Sequence, residues 1–405
     1  MLEPARHDLR IVVAPDIRPE APSGKDALAS ALDTDLTFEP MPPRMYEADW
    51  NRFMVWAADR NVSDIRLQPF APAFVQRYGR LRPATTRDLT IPEVETATNL
   101  FYGADGMARL KQGMDFDVSY KARPERNRSI RFRVNATGCE THGVITVSIV
   151  ARVLPERAPD LSSLALEPEI LAAYRISKGV VIVSGATENG KSTLLAGMIR
   201  AMLLDPDAHL SILEYAAPIE FVYDDVRGAS ALISPAEIPR DMPSFAAGAR
   251  NAKRRNPKVA VLGEIRDAET IVVMSQMAIS GTAIYGTMHA GSVEETTQIA
   301  VSLCPVNERN AVAVQLGQSL RLIINQRLVP SVDGKRTALR EFLVFDKALN
   351  HRLVGASPDD WPSICREALR TQGQSFTVAA NRALAQGRIS EETAFYFKKE
   401  FGDVA

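Results

Sequence analysis

The stretch Gly185-Ala186-Thr187-Glu188-Asn189-Gly190-Lys191-Ser192-Thr193 has the spacing G-x-x-x-x-G-K-[ST]. That spacing suits one task, the holding of a polyphosphate. Glycines let the backbone turn tightly enough to aim N–H groups at phosphate oxygens, and a helix start adds partial positive charge. Lys191 can reach the β- and γ-phosphates, and the Ser192 hydroxyl can ligate Mg²⁺. The context fits, because Gly179–Val183 reads as a short buried strand and Leu194–Leu204 as a helix. Glu188 is unusual here, since a carboxylate beside phosphates weakens their binding unless it points away. Asn189 is easily accommodated, as Asn tolerates left-handed backbone.

Further residues suited to phosphate chemistry follow short apolar runs. Glu214 and Glu220 flank Pro218, Gly263-Glu264-Ile265-Arg266-Asp267 follows Val259–Leu262, and Gly286-Thr287-Met288-His289 ends another run. Glu264 is expected to position and activate an attacking water. The bland alternative is a helix cap. His289 could contact the γ-phosphate or be merely structural. Upstream, Arg128–Asn135 alternates polar and apolar residues, so Ile130, Phe132 and Val134 share a core face while Arg131 and Arg133 share the other. Two guanidiniums side by side can read an anion, although such faces are more often solvated. The five basic residues between Arg250 and Lys258 suit a nucleic-acid patch, a subunit interface or an exposed helix face alike.

The surrounding pattern shows what must position these groups. From Gly179 to Thr287, strands and helices alternate, and β-branched apolar runs point to buried parallel strands whose C-terminal ends carry ligands. Before it, a helix with Trp50, Phe53, Met54 and Ala57 on one face precedes strands at Ser63–Leu67, Phe74–Tyr78, Asp115–Tyr120, Ile130–Asn135 and Val144–Val150, with a helical stretch over Pro92–Lys111. Beyond Asn310 the pattern predicts mostly helix, including Leu320 and Ile323, with a short strand pair around Asp333-Gly334. The expected division is a flexible extension over 1–44, a small α+β domain over 45–155, an α/β motor domain over 156–345 and a helical cap over 346–405.

Totals set limits. A chain of 405 residues suggests two or three domains, and a net charge of −1 argues against bulk attraction to nucleic acid or membrane. Cys139, Cys304 and Cys365 lack metal-ligand spacing. No signal-peptide plan opens the chain, and no apolar run approaches the roughly 18 residues of a membrane helix. Any membrane role is expected to be peripheral, through partners.

Taken in order, Arg131-Phe-Arg-Val-Asn135, Gly185–Thr193, Pro218-Ile-Glu220-Phe221, Gly263–Asp267 and Gly286–His289 resemble the motif set of the type II and type IV secretion ATPase superfamily. The match is nearest the PilT-like branch and, within it, the DotB and conjugative TraJ group, and it extends over residues 45–400. The resemblance implies a RecA-like P-loop motor domain, a PAS-like N-terminal domain, a homohexameric ring, and ATP with Mg²⁺ in the cleft between domains. It further implies that Arg131 and Arg133 clamp phosphates, that Glu220 lies at the nucleotide, and that partners are cytoplasmic and inner-membrane parts of a secretion or conjugation apparatus. A cytoplasmic place at the bacterial inner membrane goes with it. Pilus retraction, a scarcely hydrolysing ring scaffold and a DNA translocase are the rival readings. The chain departs from the family at Ala216 and Ala217, where acidic residues are usual, and Glu214 lies two positions too early to replace them simply.

Overall fold

The computed structural model describes residues 36–125, 128–154 and 157–401. Most of the expected extension, residues 1–35, lies outside the described residues. Its end does not: Leu36 and Phe38 are buried, and Phe38 packs edge-on against Phe53 and Trp56 of α1 (Glu47–Asp59).

The first sheet contains β1 (Asp64–Leu67), β2 (Phe74–Arg77), β3 (Arg80–Pro83), β4 (Phe116–Glu125), β5 (Arg128–Thr141) and β6 (Val144–Leu154). Its order is β3-β2-β1-β6-β5-β4, antiparallel throughout. Ile130, Phe132 and Val134 are buried together as their alternation requires, in a core shared with α1, α2 (Ile91–Tyr102) and α3 (Gly106–Lys111). The helical stretch read as continuous over Pro92–Lys111 is broken at Gly103, whose φ of 113° no helix accommodates. β5 and β6 form a long hairpin around His142-Gly143, both at positive φ, which is the backbone twist a two-residue turn between twisted strands needs.

The second sheet is built from β7 (Gly179–Ser184), β8 (Leu210–Ala216), β9 (Ala231–Glu237), β10 (Val259–Leu262), β11 (Ala283–Met288), β12 (Leu320–Pro330), β13 (Arg336–Val344) and β14 (Gly373–Gln374). The order is β14-β13-β12-β7-β11-β10-β8-β9, with β12 through β9 parallel and the β13 and β14 edge antiparallel. Every residue of β7, β10 and β11 is buried, because helices cover both faces. One face carries α4 (Pro168–Ala173) and α5 (Lys191–Leu204). The other carries α6 (Phe245–Arg255), α7 (Ala268–Ile279), α8 (Val293–Ser302) and α9 (Arg309–Ser319).

Leu320 and Ile323 correct the sequence reading. The helix stops at Ser319, and the next eleven residues are a strand between β7 and β13. A strand buried on both faces is apolar at consecutive positions, so Leu320, Leu322, Ile323 and Ile324 imitate helical spacing. Edge strands β3 and β9 went unread for the opposite reason. β3 is exposed throughout and β9 has no buried residue, and each contains a proline, Pro83 or Pro235.

The C-terminal helices divide between two places. Leu349, Leu353, Trp361 and Cys365, from α10 (Lys347–Gly355) and α11 (Trp361–Gln372), join the core of the second sheet. By contrast α12 (Phe376–Ala385) and α13 (Glu391–Phe401) form a cluster of their own over Val329 and Leu339. Ser390 caps α13 by accepting a hydrogen bond from the Thr393 N–H, as its position after Gly387 suggested.

Candidate nucleotide site

Parallel register brings the chemistry to one edge. Ser184 lies beside Met288, Leu262 beside Gly286, and Tyr215 beside Leu262. The loops after β7, β8, β10 and β11 therefore open on the same side, and they line one cavity of about 420 Å³. Lys191, Ser192, Glu214, Glu220, Glu264 and His289 are all on its wall.

The phosphate-binding loop is held from several sides. Gly185 has φ 149°, and a Cβ there would stand 2.5 Å from the Gln326 carbonyl oxygen. Gly190, at φ 71°, is the N-cap of α5. Asn189 is pinned by β12: its Oδ1 accepts the Leu328 N–H at 2.8 Å, and its carbonyl accepts from Gln326 Nε2 at 2.7 Å. Beneath the loop, the Ser184 hydroxyl meets Thr296 Oγ1 at 2.7 Å and Asn325 Nδ2 at 2.9 Å, and that Asn325 amide also reaches the Ala290 carbonyl. Sequence spacing did not single out Thr296, Asn325 or Gln326, because nothing local marks a polar residue that acts across the sheet.

Lys191 is folded into the loop's own mouth. Its Nζ donates to the Gly185 and Ala186 carbonyls at 2.9 and 2.8 Å. Burial holds its pKa below the ordinary lysine value, while Glu220 and Glu264 pull it back up. On the opposite wall, Glu264 Oε1 lies 3.6 Å from His289 Nε2, and its other oxygen accepts from Arg266 at 3.3 Å. Burial and then Lys191 keep the His289 pKa below its usual value despite Glu264. A neutral imidazole can present both a donor and an acceptor to what enters the cavity. Burial, reinforced by Glu220, pushes the Glu214 carboxyl up to about 7.

The first sheet closes the cavity from across. Arg133 lines it, with its guanidinium forked onto Asp117. Arg131 does not line the cavity: it donates to the Ile219 and Glu220 carbonyls at 2.8 and 2.6 Å, tying the Pro218–Glu220 loop to β5. Arg152, which the sequence reading passed over by ending its strand at Val150, reaches the phosphate-binding loop directly. It donates to Asp64 at 2.8 Å and to Glu188 at 2.7 Å. Counting back from the His142-Gly143 turn would have found it, because the hairpin register sets Arg152 opposite Arg133. Of the basic stretch, Lys253 bonds to Gln276 and Arg250 pairs with Glu269, and none of its residues lines the cavity.

Glu188 therefore lines the same cavity but is held rather than free. It is at φ 66° and paired with Arg152, both side chains being about two-fifths exposed. A pair that open is worth less than about 1 kcal/mol. Glu188→Gln is expected to tighten nucleotide binding by up to about fivefold, more at low salt, because it removes a like charge and frees a guanidinium. Titration of a fluorescent ADP analogue at two ionic strengths checks this. Weaker binding at both would mean that Glu188 is needed to shape the loop.

Known proteins share this fold. Solved structures include the Legionella pneumophila ATPase DotB, 38% identical with a TM-score of 0.84 over 89% of this chain and 98% of that one. They include the pilus retraction motor PilT with bound ADP, 25% identical with a TM-score of 0.69 over 86% of this chain and 96% of that one. In sequence, the type IV pilus retraction ATPase PilT of Pseudomonas aeruginosa is 27% identical over 85% of this chain and 97% of its own length. Residues 108–392 match the family described as type II/IV secretion system protein. A RecA-like sheet bearing the phosphate-binding loop, faced by an antiparallel N-terminal sheet, accounts for that match: the chain belongs to the type II/IV secretion system protein family.

Proposed function

We propose that this chain is an ATPase motor that couples Mg-ATP hydrolysis to movement between its two sheets, working as a homohexameric ring. Its apparatus is a type IVB-like secretion or conjugation system. The observation that carries the reading is the cavity's construction from both sheets. Lys191 and Ser192 come from one, Arg133 and Arg152 from the other, with Arg131 and Arg152 already bridging them. Charge that appears or leaves there changes what holds the sheets together.

The roles follow from placement. Lys191 and the amides of Gly185–Thr193 would hold phosphates, and Glu264 would orient the attacking water, with neutral His289 beside it to register the γ-phosphate. Arg133 and Arg152 would meet phosphates on closure, while Arg131 positions the loop that presents Glu220. Among the described residues no group of three or more His, Cys, Asp or Glu side chains could hold a metal alone. Mg²⁺ keeps waters and relies on phosphate oxygens with few protein ligands. Ser192 would supply the hydroxyl ligand. When bound, the ion neutralises charge on the β- and γ-phosphate oxygens.

Pilus retraction is the second reading, favoured by the likeness to PilT along nearly its whole length. Among the described residues no helix is long and apolar enough to cross a membrane, so attachment to a membrane machine would run through partners. The test is phosphate release by the purified chain together with its mass by light scattering. Mg-dependent turnover by a hexamer is expected, and tight binding without turnover would instead favour the scaffold. A deletion strain separates the two machines: loss of conjugal or effector transfer supports the first, and loss of twitching alone the second.

A further inference from the structure

One acid on the cavity wall, Glu214, has no task in the scheme above. On β8, Ile212, Glu214 and Ala216 share one face by the period of two, and Leu213 and Tyr215 the other. Ile212 packs with Leu194, Leu195 and Phe221 beside α5, so Glu214 faces the helix that begins with Lys191 and Ser192. Its side chain opens on the cavity, but Oε2 is sealed from solvent and has no hydrogen-bond partner. The charge it feels most is Glu220, of the same sign. A carboxyl with one oxygen sealed from solvent and unpaired, in the field of a second carboxyl, is an arrangement that a structural role does not explain. A hydrated divalent cation explains it, because its waters donate and its charge relieves both acids.

Ala216 leaves the reach open. It lies on the same face, about 7 Å nearer the mouth, and carries only a methyl group, so nothing from the strand stands between the Glu214 carboxyl and the phosphate end. We propose that Glu214 is a positioning carboxylate of the nucleotide site, acting with Glu220 from deep on β8 to hold the water shell of the phosphate-bound cation. This rests on the Mg-ATP reading above and assigns a residue that the motif set does not include.

The test is the affinity of the full-length chain for a fluorescent non-hydrolysable ATP analogue, with Mg²⁺ and with EDTA. Wild type is expected to bind more tightly with Mg²⁺. In Glu214→Gln, which keeps shape and removes charge, that gain is expected to fall about tenfold, the size of a lost charge-assisted hydrogen bond. With EDTA the variant should bind as well as wild type or better. Glu214→Thr, a good strand former, should behave alike and guards against one variant misfolding. A structural carboxyl would shift the unfolding midpoint and leave the Mg²⁺ gain untouched. An unchanged gain in folded variants overturns the assignment alone, whereas a wild type that binds no nucleotide overturns the ATP reading itself.

Discussion

Glu264→Gln is expected to lower kcat for ATP by about two to four orders of magnitude, the usual contribution of a positioned acid–base group, with nucleotide affinity unchanged within a few-fold. Lys191→Ala is expected to act earlier, removing most of the affinity together with turnover. The difference follows from where each group stands. Glu264 lies at the end of β10 facing His289 and Arg266, and amidation keeps its shape and one hydrogen-bond acceptor. On the proposed role, what is lost is the negative charge that would polarise a water, an effect felt mainly in the transition state. Lys191 lies within the loop, where its ammonium satisfies two carbonyls that phosphate oxygens would replace on the proposed role. An alanine there deletes a charge from the ground-state complex as well. Steady-state phosphate release and equilibrium nucleotide titration separate the two. Equal turnover in wild type and Glu264→Gln would remove Glu264 from the chemistry, and full affinity in Lys191→Ala would remove the loop.

These outcomes depend on residues whose meaning was visible at different distances along the chain. Gly185–Thr193 could be read because its chemistry is local: the loop, its strand and its helix are contiguous. Strands β7, β10 and β11 could be read for a related reason, since a strand covered on both faces must be apolar throughout. The same rule misled at Leu320, where a two-face-buried strand runs on directly from a helix. Arg131 was placed on the correct face of its strand, but alternation cannot tell a carbonyl from a phosphate as the partner. Arg152 and Glu188 each looked unremarkable or unfavourable alone. Only the juxtaposition of two sheets makes them a pair. Glu214 lies two positions before Ala216, and on a strand two positions mean the same face.

The same dependence on distant contacts sets the largest expected effect on stability, at Arg340. Its guanidinium is 2% exposed and donates to Glu167 at 3.1 Å, to Gln326 Oε1 at 2.8 Å, and to the carbonyls of Leu164 and Ala165. It thus ties the segment entering the motor sheet to the β12–β13 hairpin. Gln326 passes the constraint on, because its amide nitrogen donates to the Asn189 carbonyl within the phosphate-binding loop. Arg340→Met is expected to cost about 3–5 kcal/mol in unfolding free energy, since it leaves a nearly buried Glu167 carboxylate without its cation. Arg340→Met with Glu167→Gln should recover part of that loss, because the desolvation penalty of two charges goes with the pair. Denaturant unfolding of the single and double variants measures both. Nucleotide affinity should fall in the single variant even where it is fully folded, as Gln326 no longer has Arg340 to orient its Oε1 and so its hold on Asn189 loosens. A single variant with wild-type affinity would confine Arg340 to stability and break the link to the loop.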